Sequence, residues 1–112
     1  ALVRALRGGE MAALLPDQVP DAGQGVWASF FGKPAYTLTL PKRLAEQTNS
    51  AVILFACLSD THLGGWRLHL QRMNSQPSPE LLNAAMQDLI LRWPQHYLWG
   101  YNRYKQPPGA KP

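Results

Sequence analysis

The sequence predicts a layered α/β domain, and three stretches carry that expectation. Residues 51–58 are apolar at every position. A strand with no polar side is one covered on both faces, as in a sheet sandwiched between helix layers. Trp66, Leu68 and Leu70 alternate with Arg67, His69 and Gln71, the period of a half-exposed strand. Leu81, Leu82, Ala85, Leu89 and Ile90 recur at helical spacing and give a helix one inward face. The order of elements points to a partial three-layer helix-sheet-helix arrangement within a single domain.

Taken in order, residues 1–7 read as an amphipathic helix with Leu2, Val3 and Leu6 on one side, stopped by Gly8-Gly9. Met11 to Leu15 is a short apolar run, expected as a buried strand that ends at Pro16 because proline has no ladder N–H. Residues 16–26 hold two prolines, two aspartates and two glycines, a loop composition. Trp27 to Phe31 is short and apolar, with Gly32-Lys33-Pro34 expected to break it. Thr37 to Gln47 reads as a helix with Pro41 in its first turn, and Thr48-Asn49-Ser50 as the turn after it. The strands at 51–58 and 66–73 follow, then a polar loop at Asn74–Pro79. Ser78 is placed to cap the last helix, with Pro79 at its first position and Glu80 in its first turn. Pro94 forces that helix to end.

With 112 residues there is room for one domain, burying about two thirds of its unfolded surface. Apolar residues make up 46% of the chain, too many for a disordered one, and charged residues only 16%. So few charges leave little polar surface to cover a core, which points to a further partner surface: more chain, another subunit or a membrane. An open sheet edge would also allow a homo-oligomer. The net charge is +4, but the basic residues are scattered rather than grouped. Scatter argues against a basic nucleic-acid-binding tail and leaves a solvated surface or an anionic lipid or phosphate partner.

Cys57 is the sole cysteine, so no intrachain disulfide forms; inside an apolar run it reads as a small hydrophobe. The longest unbroken apolar run is eight residues, against the roughly 20 a membrane-spanning helix needs. The chain opens in mid-pattern without methionine and without a signal-peptide core, so the expectation is a piece of a longer protein. Gly-rich phosphate loops, metal-spaced Cys/His clusters and a Gly-x-Ser-x-Gly elbow are all absent, and no metal or organic cofactor is expected.

Two motifs remain to carry chemistry. Asp17 and Gln18 stand where a predicted strand ends, the position at which α/β sheets collect ligand sites. A carboxylate and an amide there can orient a hydroxyl; the plainer alternative is that Asp17 satisfies turn amides. The second motif is the run from Trp93 to Lys105, five aromatic positions ending in Arg103 and Lys105. Its cations suit phosphate, and its rings suit a membrane interface. The alternative is that the rings pack this segment onto the sheet while the charges stay solvated.

Leu14-Leu15-Pro16-Asp17-Gln18, then Phe30-Phe31-Gly32-Lys33-Pro34-Ala35, then Tyr97-Leu98-Trp99 with Arg103 and Lys105 resemble, in this order, the bacterial lipid A biosynthesis acyltransferases. That lauroyl/myristoyl transferase family belongs to the lysophospholipid-acyltransferase-like superfamily. The resemblance runs from about Leu2 to Gly109. It implies that residues 1–112 are the C-terminal part of one glycerolipid-acyltransferase-like domain. The implied reaction moves a fatty acyl chain from acyl carrier protein to a hydroxyl of a lipid A precursor, at the cytoplasmic face of the bacterial inner membrane. Asp17 and Gln18 would support the cleft, Phe30, Phe31 and Gly32 would lie beside it, and Arg103 and Lys105 would face anionic headgroups or the membrane. Lys33 and Tyr104 stand where the family pattern has arginine and phenylalanine, and Asn102 where an arginine is common.

The family's general base is the histidine of a His-x-x-x-x-Asp/Glu motif. Five residues after His62, His69 and His96 come Arg67, Asn74 and Tyr101, so none of the three qualifies. No catalytic residue is therefore expected in this chain, and the chain alone is expected to be inactive. Two other readings stay open: a non-catalytic basic module that docks on anionic lipid surfaces, or an RNA-binding domain using its aromatics.

Overall fold

A computed structural model describes residues 1–62, 64–73 and 76–112. Its elements are α1 (Leu2–Arg7), β1 (Gly25–Phe30), β2 (Lys33–Leu38), α2 (Leu40–Thr48), β3 (Ile53–Asp60), β4 (Gly65–Arg72) and α3 (Pro79–Arg92), then a 3₁₀ turn at Pro94–His96. The strands form two separate antiparallel hairpins, β1–β2 and β3–β4. The α/β class holds, with α3 at its centre. Phe30 and Ala35 from the first hairpin and Leu54 from the second share one buried cluster with Leu82, Met86, Leu89 and Ile90 of α3.

The first hairpin turns on only two residues. Phe30 pairs with Lys33, leaving Phe31 and Gly32 as the loop, with φ of 49° and 77°. Two successive left-handed residues make a tight turn whose twist matches the strands. Gly32-Lys33-Pro34 therefore does not break the structure, as expected from sequence, but starts the return strand. Pro34 is tolerated opposite Ser29 because a two-stranded sheet consists of edges. The helix expected from Thr37 begins instead at Leu40. Thr37 and Leu38 complete β2, and Pro41 occupies the first turn of α2. Asn49 closes α2 in the left-handed region, donating its N–H to the Ala45 carbonyl.

α3 starts as predicted. The Ser78 hydroxyl accepts the Leu81 N–H at 3.2 Å, and Pro79 takes the first position. Its buried face holds Leu82, Asn83, Met86, Leu89 and Ile90; Leu81, expected inward, is exposed. The expected loop at Asn74–Pro79 lies partly outside the described residues, at Asn74 and Ser75.

Two further expectations fail. Met11–Leu15 forms no strand, and Met11 is 96% exposed. An apolar run makes a strand only where a neighbour offers an edge, and no described strand pairs with it. Residues 51–58 do form most of β3, but only Leu54 and Leu58 are buried. Ile53, Phe55 and Cys57 face outward together with Trp66, Leu68 and Leu70 of β4, and Trp66 is 75% exposed. The predicted alternation of β4 is real, yet its apolar side is the wet one. Only the Leu54–Leu58 side of the hairpin meets α3.

Candidate functional site

The site is built from three segments: the loop at 16–24, the Phe31-Gly32 turn and the segment from Trp93 to Lys105. Prolines 16 and 20 remove two backbone donors from the first loop and restrict the residues before them. Within it, Gln18 N–H donates to Leu15 O at 3.3 Å and Gln24 N–H to Asp21 O at 3.1 Å. Two phenols hold the rest. Tyr36 OH accepts from Gly23 N–H at 3.0 Å and Gly25 N–H at 3.3 Å. Tyr101 OH accepts from Val19 N–H at 2.8 Å. Gly25 permits this closure, because a Cβ there would stand 2.7 Å from the Thr37 carbonyl oxygen and 2.9 Å from the Pro20 ring.

The Phe31 turn is strained and braced. A bulky residue in the left-handed region is an outlier that persists only where its surroundings over-determine it. Here Gln87 Oε1 of α3 accepts the Phe31 N–H at 2.9 Å. The Phe31 ring meets Phe30 edge-on at 4.8 Å and Trp99 at 6.3 Å. Tyr104 OH donates to the Phe30 carbonyl at 2.6 Å.

Arg103 departs from expectation. The resemblance implies a side chain facing anionic headgroups or the membrane, but Arg103 is 2% exposed. Its Nη1 donates to the Tyr36 carbonyl at 2.9 Å, and its Nη2 to Thr37 Oγ1 at 3.1 Å and Asn83 Oδ1 at 3.2 Å. Asn83, fully buried, donates to Thr37 Oγ1 at 2.9 Å. The guanidinium also lies 5.3 Å from the Phe30 ring centre. Arg103 is thus the internal bolt joining the C-terminal segment, β2 and α3. Lys105 is exposed, as expected of a surface cation.

A cavity of about 420 Å³ runs between residues 12–17 and β3, with α2 and α3 contributing to its wall. That volume suits a small-molecule or lipid-chain site. Leu14, Leu44, Leu54, Met86, Leu89 and Trp93 give it an apolar lining; Asp17, His96 and Tyr97 add polar groups. Asp17 is half-buried at this wall. Burial pushes the Tyr97 phenol above its ordinary value, and the Asp17 carboxylate raises it further. Burial pulls the Arg103 guanidinium down, opposed in part by Tyr97, Tyr101 and Asp17. The loop at 16–24 and the segment from Trp93 to Lys105 therefore share one electrostatic neighbourhood.

Of the residues singled out from sequence, Asp17 lines the cavity, while Gln18, Phe30, Phe31, Gly32, Arg103 and Lys105 do not. Phe30, Phe31 and Arg103 form the frame behind it. Sequence reasoning missed Tyr36, Asn83, Gln87 and Tyr101. Asn83 and Gln87 carry a usable signal, as polar residues four apart beside the apolar stripe of α3. Tyr36 and Tyr101 carry none, because a phenol's partner depends on where the chain returns. No group of three His, Cys, Asp or Glu among the described residues could hold a metal ion.

A profile of the family described as "Bacterial lipid A biosynthesis acyltransferase" matches residues 1–106. The chain is also similar to a lipid A biosynthesis acyltransferase of Haemophilus influenzae, 29% identical over 101 residues that cover 84% of this chain and 31% of that protein. It thus spans about a third of the length of the curated relative it matches. With the profile matching nearly the whole chain, the chain belongs to the bacterial lipid A biosynthesis acyltransferase family.

Proposed function

We propose that this chain forms the supporting wall of an acyl-transfer site. The intact enzyme would move a fatty acyl chain from acyl carrier protein to a hydroxyl of a lipid A precursor. One observation carries the reading: a half-buried carboxylate, Asp17, stands at the wall of an apolar cavity. A fatty chain gains about 0.8 kcal/mol for each CH₂ it buries, so an apolar cavity holds the chain while polar groups at its wall orient the reacting end. In the reaction the thioester C–S bond breaks and an ester C–O bond forms. The proton of the acceptor hydroxyl passes to a base and then to the departing thiolate. Asp17 accepts a hydrogen bond from the acceptor and orients it. The base itself is the histidine of the His-x-x-x-x-Asp/Glu motif, which none of the histidines in this chain satisfies, so the chain alone would be inactive.

The same reading places the enzyme at the cytoplasmic face of the inner membrane, against anionic lipid. The outward apolar face of β3–β4, with Trp66 on it, and the exposed Lys105 support contact with such a surface. No helix among the described residues is long and apolar enough to cross a membrane.

The test is Asp17→Asn in the intact enzyme, with acyl transfer to the lipid A precursor followed by mass spectrometry. The expected outcome is a fall in kcat of about a hundred-fold, the scale of losing a positioned polar group in a reacting site. Unchanged turnover in this variant, or transfer by residues 1–112 alone, would sink the proposal.

A further inference from the structure

We infer that Tyr101 is a positioning residue for Asp17, acting through the Val19 backbone; this rests on the reading that Asp17 belongs to the acceptor site. The loop around Asp17 has little hold of its own. Pro16 and Pro20 carry no N–H, and Val19 N–H has no backbone partner among the described residues. That donor, two residues from Asp17, is taken by the Tyr101 hydroxyl at 2.8 Å. The contact joins positions 82 residues apart in sequence. The phenol itself sits on a rigid base. Two residues on, Arg103 is buried and hydrogen-bonded to β2 and α3, and Tyr104 reaches the Phe30 carbonyl. Tyr36 secures the other end of the loop at Gly23 and Gly25. Asp17 therefore sits in a turn closed by Gln18 N–H on the Leu15 carbonyl, and the Tyr101 strap anchors that turn to the core. This explains why an aromatic-rich segment so far along the chain matters to a carboxylate near its start.

The experiment is a double-mutant cycle in the intact enzyme with Tyr101→Phe and Asp17→Asn. Phenylalanine keeps the ring and removes only the oxygen. Small misplacements of a positioned group cost up to about a hundred-fold in rate, so kcat of Tyr101→Phe should fall about ten-fold or more. The KM for the acyl donor should stay within about two-fold, since the apolar cavity is untouched. In the Asp17→Asn background, Tyr101→Phe should cost nothing further. Equal losses in both backgrounds, or full activity in Tyr101→Phe while Asp17→Asn is impaired, overturn this inference alone. No effect from Asp17→Asn overturns the underlying reading as well. Hydrogen exchange supplies a test independent of activity and of how the variant folds. The Val19 amide of the wild-type enzyme should be protected, and exchange there at the rate of an open loop overturns the inference.

Discussion

The two hairpins are built from similar material and end in opposite states. β1–β2 buries Ala28, Phe30, Ala35, Tyr36 and Thr37, although it contains a proline and several polar residues. β3–β4 contains the most apolar run in the chain, yet buries only Leu54 and Leu58. The difference lies in what each hairpin is packed against. The first is held on one side by α3 and bolted through Arg103 and Tyr104 to the C-terminal segment. The second meets α3 through one face and leaves the other face wet. Hydropathy sets how much a strand gains from being covered; covering also requires a partner surface, which the strand does not supply.

The comparison is broken or sharpened most by substituting equivalent aromatics. Phe30→Ala removes a ring at the centre of the core and should destabilise the protein by about 3–5 kcal/mol in denaturant unfolding. Phe55→Ala, in the middle of the longer apolar run but half-exposed, should cost under about 1 kcal/mol in the same assay. If the two losses are equal in the intact protein, the outer face of β3–β4 is covered there, and the contrast between the hairpins disappears.

Next in size is Arg103→Met. It keeps apolar volume but leaves the Tyr36 carbonyl, Thr37 and Asn83 without their charged donor. Hydrogen bonds to charged groups are worth about 1.5–3 kcal/mol each and do not add, so a loss of about 2–4 kcal/mol is expected. Arg103→Met together with Asn83→Leu should recover part of it, because fewer unpaired polar groups then remain buried. Additive losses would show that Arg103 is no internal bolt.

The smallest effect is confined to alkaline pH. The Tyr97 phenol has its folded pKa raised above the ordinary 10.0, by burial and then by Asp17. The folded state therefore holds this proton more tightly than the unfolded state does. The resulting contribution to stability is complete below about pH 10 and is lost as pH climbs through the raised value. Unfolding curves across that window should converge for wild type and Tyr97→Phe if Tyr97 is the group responsible; a wild-type profile unchanged by the substitution assigns the loss elsewhere.

Local signals were legible where the chain closes on itself nearby. The Ser78-Pro79 cap, the stop at Pro94 and the turn at Asn49 are decided by atoms within a few residues, and all three stand as read. The break expected at Gly32-Lys33-Pro34 was half right: the turn is there, but two-stranded pairing lets proline continue as strand. Met11–Leu15 and the outward face of β3 were misread for a common reason. Their apolar side chains were assigned partners that a pattern of residues cannot locate.

The sequence by itself determined the α/β class, the caps and turns, the family and the place of Asp17 beside an apolar run. Tertiary structure alone decided that Arg103 turns inward, that Tyr101 reaches back to Val19 and that the apolar side of β4 faces water. Helix caps and tight turns are contacts of short range, fixed by residue type and spacing. Burial and long-range hydrogen bonds depend on which distant surfaces the folded chain brings together, and that exists only once the elements have packed.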